Sequence, residues 1–187
     1  MRVFVAMDVP EETRQALAEL IAGLGKIHTG ARWVRTEGIH VTLKFIGEAA
    51  PEKVEAIETS LCGIHSSSPV DLAFRRIGFF PSQRHPRVFW AGIEASPNLA
   101  ELAASIESRL EPLGIPRENR PFHPHLTLAR FQSEDGLAKL HESLARLGAL
   151  DFGATRASEF YLYQSVLKRG GAEYTRLAKF PFVESAR

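Results

Sequence analysis

Apolar and polar positions change period several times along the chain. Arg2 to Asp8 is a short apolar run of strand type. Asp8-Val9-Pro10-Glu11 then offers a capping residue, a first-turn proline and an acid three positions on, which predicts a helix start. Leu17, Leu20, Ile21 and Leu24 recur at helical spacing, with an expected end near Gly25. Ala31 to Arg35 and His40 to Gly47 are β-prone. Pro51 opens a second helix whose stripe is Val54, Ile57, Leu61 and Ile64, and Cys62 beside that stripe is expected to pack. Val70 to Phe80 and Arg87 to Ile93 are expected strands around a Pro81 to Pro86 loop. Ser96-Pro97 should cap a third helix carrying Leu99, Leu102, Ile106 and Leu110. A loop through Pro116 to Pro124 leads to a strand, His125 to Phe131. Leu137, Leu140, Leu144 and Leu147 mark a fourth helix. Ser158 to Leu167 and Ala172 to Phe182 form a hairpin turning at Gly170-Gly171.

An internal repeat orders these segments. Arg2-Val3-Phe4-Val5-Ala6 matches Arg87-Val88-Phe89-Trp90-Ala91 at an offset of 85, and His40-Val41-Thr42-Leu43 matches His125-Leu126-Thr127-Leu128 at the same offset. Two separate blocks with one spacing indicate duplication, with halves at approximately 1–85 and 86–170. No Gly/Ser/Pro-rich linker separates them. The expected fold is therefore α+β, a single bilobal domain over 1–187. Its two pseudo-symmetric β/α lobes, each with an antiparallel-rich sheet and two helices, flank a central cleft. In this alignment Trp90 stands opposite Val5 and is expected to be core.

Composition narrows the class. Lys and Arg total 23 against 22 Asp and Glu, a net charge of +1, which excludes a nucleic-acid coat acting through bulk charge but allows a local basic pocket. With 44% hydrophobic and 24% charged residues the chain is globular in type. The single cysteine excludes an intramolecular disulfide and a thiol-rich zinc site, and fits a reducing compartment. The apolar run Val3 to Met7 is too short for a signal peptide or membrane span, so a soluble cytoplasmic protein is expected.

The chemistry lies in the repeated His-x-Thr-Leu. Random placement of this composition gives about 0.03 such matches, and the chain has two. On a strand, residues two apart project from one face about 7 Å from each other. His40 with Thr42, and His125 with Thr127, would each present an imidazole and a hydroxyl to one ligand. Two such strands facing each other suit tetrahedral phosphate. In-line displacement needs a base on the attacking oxygen and an acid on the leaving oxygen, and two histidines supply both without a metal. One must be protonated and the other neutral, so activity should be bell-shaped between about pH 5 and 8. A lone strand histidine is usually structural; the equally spaced pair reverses that preference. Zinc would need a third ligand, and no His-Glu-x-x-His or His-x-His with a partnered carboxylate occurs. His123 is expected to be a loop residue, and His28, His65, His85 and His141 solvated. Lys44 alternates onto the His40 face or forms its rim. Arg75, Arg76, Arg84, Arg117 and Arg120 either flank the cleft as phosphate contacts or form a solvated face, the second being the default reading.

Two His-x-Thr-Leu motifs in a duplicated chain, the second within Arg120-Pro-Phe-His-Pro-His-Leu-Thr-Leu-Ala-Arg130, resemble the two-histidine (2H) phosphoesterases. Phe80-Pro81, Pro86 to Gly92, and the tail Gln164-Ser165-Val166-Leu167 with Tyr174 resemble the RNA 2′,3′-cyclic phosphodiesterases, first named 2′-5′ RNA ligases. The resemblance covers nearly the whole chain. It implies hydrolysis of terminal 2′,3′-cyclic phosphates on RNA to 2′-phosphomonoesters with no metal or cofactor, and a capacity to join 2′-5′ RNA ends. It also implies His40 as proton donor, His125 as proton acceptor, and Thr42 and Thr127 as holders of the nonbridging oxygens. Phe45 and Arg130, each five residues past its histidine, would grip the terminal base. Ideal alternation puts them on the wrong face, so a bulge or bend is required. The expected partners are RNA ends carrying the cyclic phosphate, tRNA fragments among them, met by a monomer away from membranes. The alternatives are a cyclic phosphodiesterase acting on a small nucleotide and a non-catalytic RNA- or nucleotide-binding module.

Overall fold

In the computed structural model, which describes residues 1–182, the elements run β1 (Arg2–Met7), α1 (Glu11–Leu24), β2 (Ala31–Trp33), β3 (Val41–Glu48), α2 (Pro51–Cys62), β4 (Val70–Phe80), β5 (Val88–Ala95), α3 (Asn98–Leu110), β6 (His125–Phe131), α4 (Leu137–Ala145), β7 (Asp151–Ala157), β8 (Glu159–Lys168) and β9 (Gly171–Pro181). Residues 183–187 of the expected domain lie outside the described residues. The α+β class and the two lobes are as expected. One sheet has the order β3-β1-β8-β9, the other β2-β6-β5-β4-β7, and every ladder is antiparallel.

The sheets are not the two halves of the chain. β2 and β4, from the first half, join the second sheet, while β8 and β9 return to the first. Helices cross in the same way. α2 and α3 pack on each other and against β9 and β3, whereas α1 lies against β7. A continuous apolar core fills the space between helices and sheets, with Val5, Met7, Leu43 and Ile57 on one side and Phe89, Leu126, Leu128 and Leu17 on the other. The opposite face of the first sheet carries a separate small cluster, Phe4, Ala6, Tyr161 and Tyr163. This second face borders His40, through Phe4 and Tyr163.

Several local readings change. Asp8 does not cap α1: the helix begins at Glu11, too far on for Asp8 to reach its first free amides, and the Asp8 carboxylate accepts from Arg14 at 2.8 Å and from Arg176. Ser96 starts α3 with its carbonyl, which accepts from the Leu99 amide at 3.1 Å, while its hydroxyl accepts from the Asp71 amide and donates to Asn98. Cys62 is exposed at the end of α2, because it falls outside the buried stripe of Val54, Ile57 and Leu61. Lys168 pairs with Gly171, so the hairpin turns at Arg169-Gly170, one residue earlier than expected. β7 has no counterpart in the sequence reading. Only Phe152 of its residues is buried, so it lacks a strong hydrophobic pattern and is held by its ladder to β4.

Candidate active site

The registers of the two motif strands fix where each side chain points. In the β1–β3 ladder Thr42 pairs with Ala6 and Lys44 with Val5, leaving Leu43 as an extra residue. In the β5–β6 ladder Thr127 pairs with Trp90 and Ala129 with Phe89, leaving Leu128 extra. The two bulges occupy equivalent positions of the repeat. Each inserts one residue between the threonine and the position three further on, which reverses the alternation. Burial records the reversal: consecutive buried residues, Leu43-Lys44 and Leu128-Ala129, precede an exposed one, Phe45 or Arg130. Phe45, 60% exposed, therefore shares the face of His40. Phe4 touches both rings, with centroids 5.8 Å from His40 and 6.1 Å from Phe45.

Lys44 is turned to the other side. It is 3% exposed, and its ammonium donates to both carboxylate oxygens of Glu107 on α3, at 2.8 and 2.9 Å, and to the Pro116 carbonyl at 2.7 Å. It adds no positive potential beside His40.

The same ladders show that structural equivalence in β1 and β5 runs at an offset of 84. Ala6 corresponds to Trp90 and Phe4 to Val88, one residue off the match of similar letters. A one-residue slip exchanges the faces of a strand, and Trp90 accordingly lies on the cleft face and not in the core. Its ring covers Gly78, where a Cβ would come within 2.1 Å of the indole. In the equivalent row of the first sheet the sizes are swapped, with Ala6 beside Tyr161. Tyr163 in β8 corresponds to Phe80 in β4 by the same pairing. Each lies against a motif histidine: Tyr163 is 4.5 Å from His40 and Phe80 is 5.1 Å from His125 between centroids.

Both histidines are held alike. Nδ1 of His40 is 2.9 Å from the Gly38 carbonyl, and Nδ1 of His125 is 2.7 Å from the His123 carbonyl. A carbonyl only accepts, so each Nδ1 carries the proton and each Nε2 is left for a ligand. His123 takes part through its backbone, as a loop residue. Thr42 and Thr127 are half-buried on the histidine faces. β3 and β6 touch each other across the seam between the two sheets.

The electrostatic surroundings differ. Tyr174 meets His40 edge-on at 5.2 Å, and its ring lies 2.6 Å from where a Cβ on Gly38 would stand. Burial among Phe4, Tyr163 and Tyr174, and next the Arg14 charge, push His40 down from 6.5 to about 4, with the Gly38 bond and Asp8 opposing. Arg14 and Arg176 both bind Asp8, Arg14 also donates to the Thr36 carbonyl, and Arg176 to the Tyr163 hydroxyl. Sequence reasoning missed this cluster, since Asp8, Arg14, Tyr163 and Arg176 come together only through the return of β8 and β9. Of the candidate arginines, Arg75 pairs with Glu94 and Asp151, Arg76 with Glu94, and Arg117 with Glu111. Among the described residues no three His, Cys, Asp or Glu side chains gather in a metal-binding group, and no helix is long and apolar enough to cross a membrane.

Known proteins resemble this chain in sequence and in fold. The RNA 2′,3′-cyclic phosphodiesterase of Archaeoglobus fulgidus is 32% identical over 180 residues, 96% of this chain and 99% of its own. That of Thermus thermophilus is 35% identical over 191 residues, 96% and 89% of the two chains. The crystal structure of Escherichia coli LigT complexed with 3′-AMP superposes with a TM-score of 0.76 at 30% identity, covering 98% of each chain. The crystal structure of TT0787, also of Thermus thermophilus, does so with a TM-score of 0.77 at 31% identity, covering 97% of this chain and 98% of that one. A profile of the family described as LigT like Phosphoesterase matches residues 7–90 and 93–174, the two halves of the repeat. That double match covers most of the chain, and the protein belongs to the LigT-like phosphoesterases.

Proposed function

We propose that the protein opens the 2′,3′-cyclic phosphate at RNA 3′ ends to a 2′-phosphomonoester, using His40 and His125 and no metal. The observation that carries this reading is the matched pair of Nδ1–carbonyl bonds, which leaves two imidazole Nε2 atoms for proton transfer. Names of relatives about 30% identical over nearly the full length support the same substrate. Neutral His125 takes a proton from water as its oxygen bonds to phosphorus. The bond from phosphorus to O3′ breaks, and O3′ receives the Nε2 proton of His40. The phosphate stays on O2′. Thr42 and Thr127 donate hydrogen bonds from their hydroxyls to the nonbridging oxygens, where charge grows. A 5′-hydroxyl in place of the water would give a 2′-5′ linkage by the same two transfers.

His40 is neutral in the free protein at neutral pH, and the anionic substrate favours its protonation on binding. The test is RNA ending in a 2′,3′-cyclic phosphate, incubated with excess chelator. The expected product has a 2′-phosphate terminus. Opening that stops with chelator and returns with a divalent ion overturns the metal-free mechanism, and a 3′-phosphate product overturns the assignment of the leaving oxygen.

Phe45 and Arg130 would sandwich the terminal base, an aromatic face against a guanidinium plane. Phe45→Ala and Arg130→Ala should each weaken substrates that carry a base by roughly 1 to 3 kcal/mol. An abasic ribose cyclic phosphate should be nearly unaffected. Kinetics on paired normal and abasic substrates decide this, and an equal loss on both assigns Arg130 to the phosphate.

A further inference from the structure

A cavity of about 430 Å³ opens beside Phe45, away from the histidine it accompanies. Its apolar wall is Phe45, Ile46, Ile115 and Pro116, and Asn119 and Arg120 stand among the polar residues that line the rest. The volume lies in the range of small-ligand sites and accommodates one nucleotide. The bulge-rich end of β3 supplies one side, and the loop leading from α3 toward His125 supplies the other. Lys44 ties the two together, since its ammonium holds Glu107 of α3 and the Pro116 carbonyl at once. The cavity is thus fixed before any ligand arrives.

Charge in the wall discriminates between ligands. The Lys44 charge is paired with Glu107, and Arg117 is paired with Glu111. Arg120 is exposed and has no ion-pair partner among the described residues. Glu118 also lines the cavity and disfavours a multiply charged group inside. One apolar wall facing a polar one, with an available guanidinium at the edge, fits a nucleobase within the cavity and a single phosphodiester at the rim.

We infer that this cavity is a subsite for the nucleotide immediately upstream of the cyclic phosphate terminus, its base packed on Ile46, Ile115 and Pro116 and its phosphate facing Arg120. The inference rests on the proposed reaction, which places the terminal base on the near side of Phe45. The next residue of the strand then passes over Phe45 into the cavity. The subsite makes the enzyme prefer RNA ends of two or more nucleotides over a cyclic mononucleotide.

The experiment compares a nucleoside 2′,3′-cyclic phosphate with a dinucleotide ending in one, using the wild type, Arg120→Ala and Asn119→Trp, the last to fill the cavity. The wild type should favour the dinucleotide by about tenfold in kcat/KM, the scale of one stacked base. Both variants should remove that gain and leave the mononucleotide rate unchanged. Equal wild-type rates on the two substrates, or variant losses that affect both alike, overturn the subsite. Titration with the dinucleotide 2′-phosphate separates the subsite from the reaction. Binding that weakens in Arg120→Ala, with neither cyclic substrate opened by the wild type, overturns the reaction and retains the subsite. Opened substrates with unchanged binding retain the reaction and overturn the subsite.

Discussion

Replacing His40 or His125 by alanine is expected to lower turnover by at least ~10²-fold, the usual contribution of a positioned acid or base, with the fold retained. Each imidazole is oriented by one backbone carbonyl, so its loss removes proton transfer; in His40→Ala the ring contacts with Phe4, Tyr163 and Tyr174 go as well. Thr42→Val and Thr127→Val should cost less, since the hydroxyls stabilise charge without carrying the transferred proton. Near-full activity in either histidine variant removes the acid/base pair. A substrate analogue with a phenolic leaving oxygen separates the roles. It needs no proton on departure, so it should restore much of the activity of His40→Ala and none of that of His125→Ala, and the opposite result exchanges donor and acceptor.

The dependence on pH follows from the same pair. Productive free protein has one imidazole protonated and the other neutral. That state grows with pH up to the lower pKa, stays level between the two, and declines above the higher. With His40 pushed down to about 4, the lower limb of kcat/KM should fall near pH 4 and not inside the pH 5 to 8 range expected of ordinary histidines. In kcat, which reports the complex, the His40 limb should move upward, because the bound phosphate anion favours the imidazolium. A lower limb near 6.5 in kcat/KM would mean that the aromatic enclosure of His40 does not exclude water.

What the sequence revealed depended on how local the information was. His40, Thr42, His125 and Thr127 were legible because residue identity and a spacing of two suffice to put side chains on one face of a strand. Positions beyond the threonines were not, because a bulge is a property of two paired strands. Only the ladder shows Leu43 and Leu128 as extra residues, and with them the exchange of sides by Lys44 and Phe45. Trp90 was misplaced for a related reason. Short apolar strands match almost equally well at neighbouring registers, and similar letters favoured 85 where pairing requires 84. The rings beside the histidines were hidden further still. Tyr163 and Phe80 belong to strands exchanged between the repeat halves, so no local pattern ties either one to its histidine.

The burial of Lys44 leads to the largest effect expected on stability. Lys44→Met should destabilise the protein by about 3 kcal/mol, at the lower end of the cost of removing one partner from a buried ion pair. The Lys44 side chain is 2% exposed and that of Glu107 15%, so the remaining carboxylate loses its countercharge with little compensating water. The Pro116 carbonyl loses its donor in the same step. For a chain of this length such a loss lowers Tm by roughly 6 to 12 °C. Changing both members, Lys44→Met with Glu107→Met, should recover much of that, because apolar side chains of similar size remove the isolated charge instead of stranding it. Urea and thermal unfolding of the two single variants and the double variant complete the cycle. A cost below about 1 kcal/mol for Lys44→Met, or a double variant no more stable than the worse single, would mean that water reaches Glu107 and that the pair does not anchor α3 and the Pro116 loop to β3.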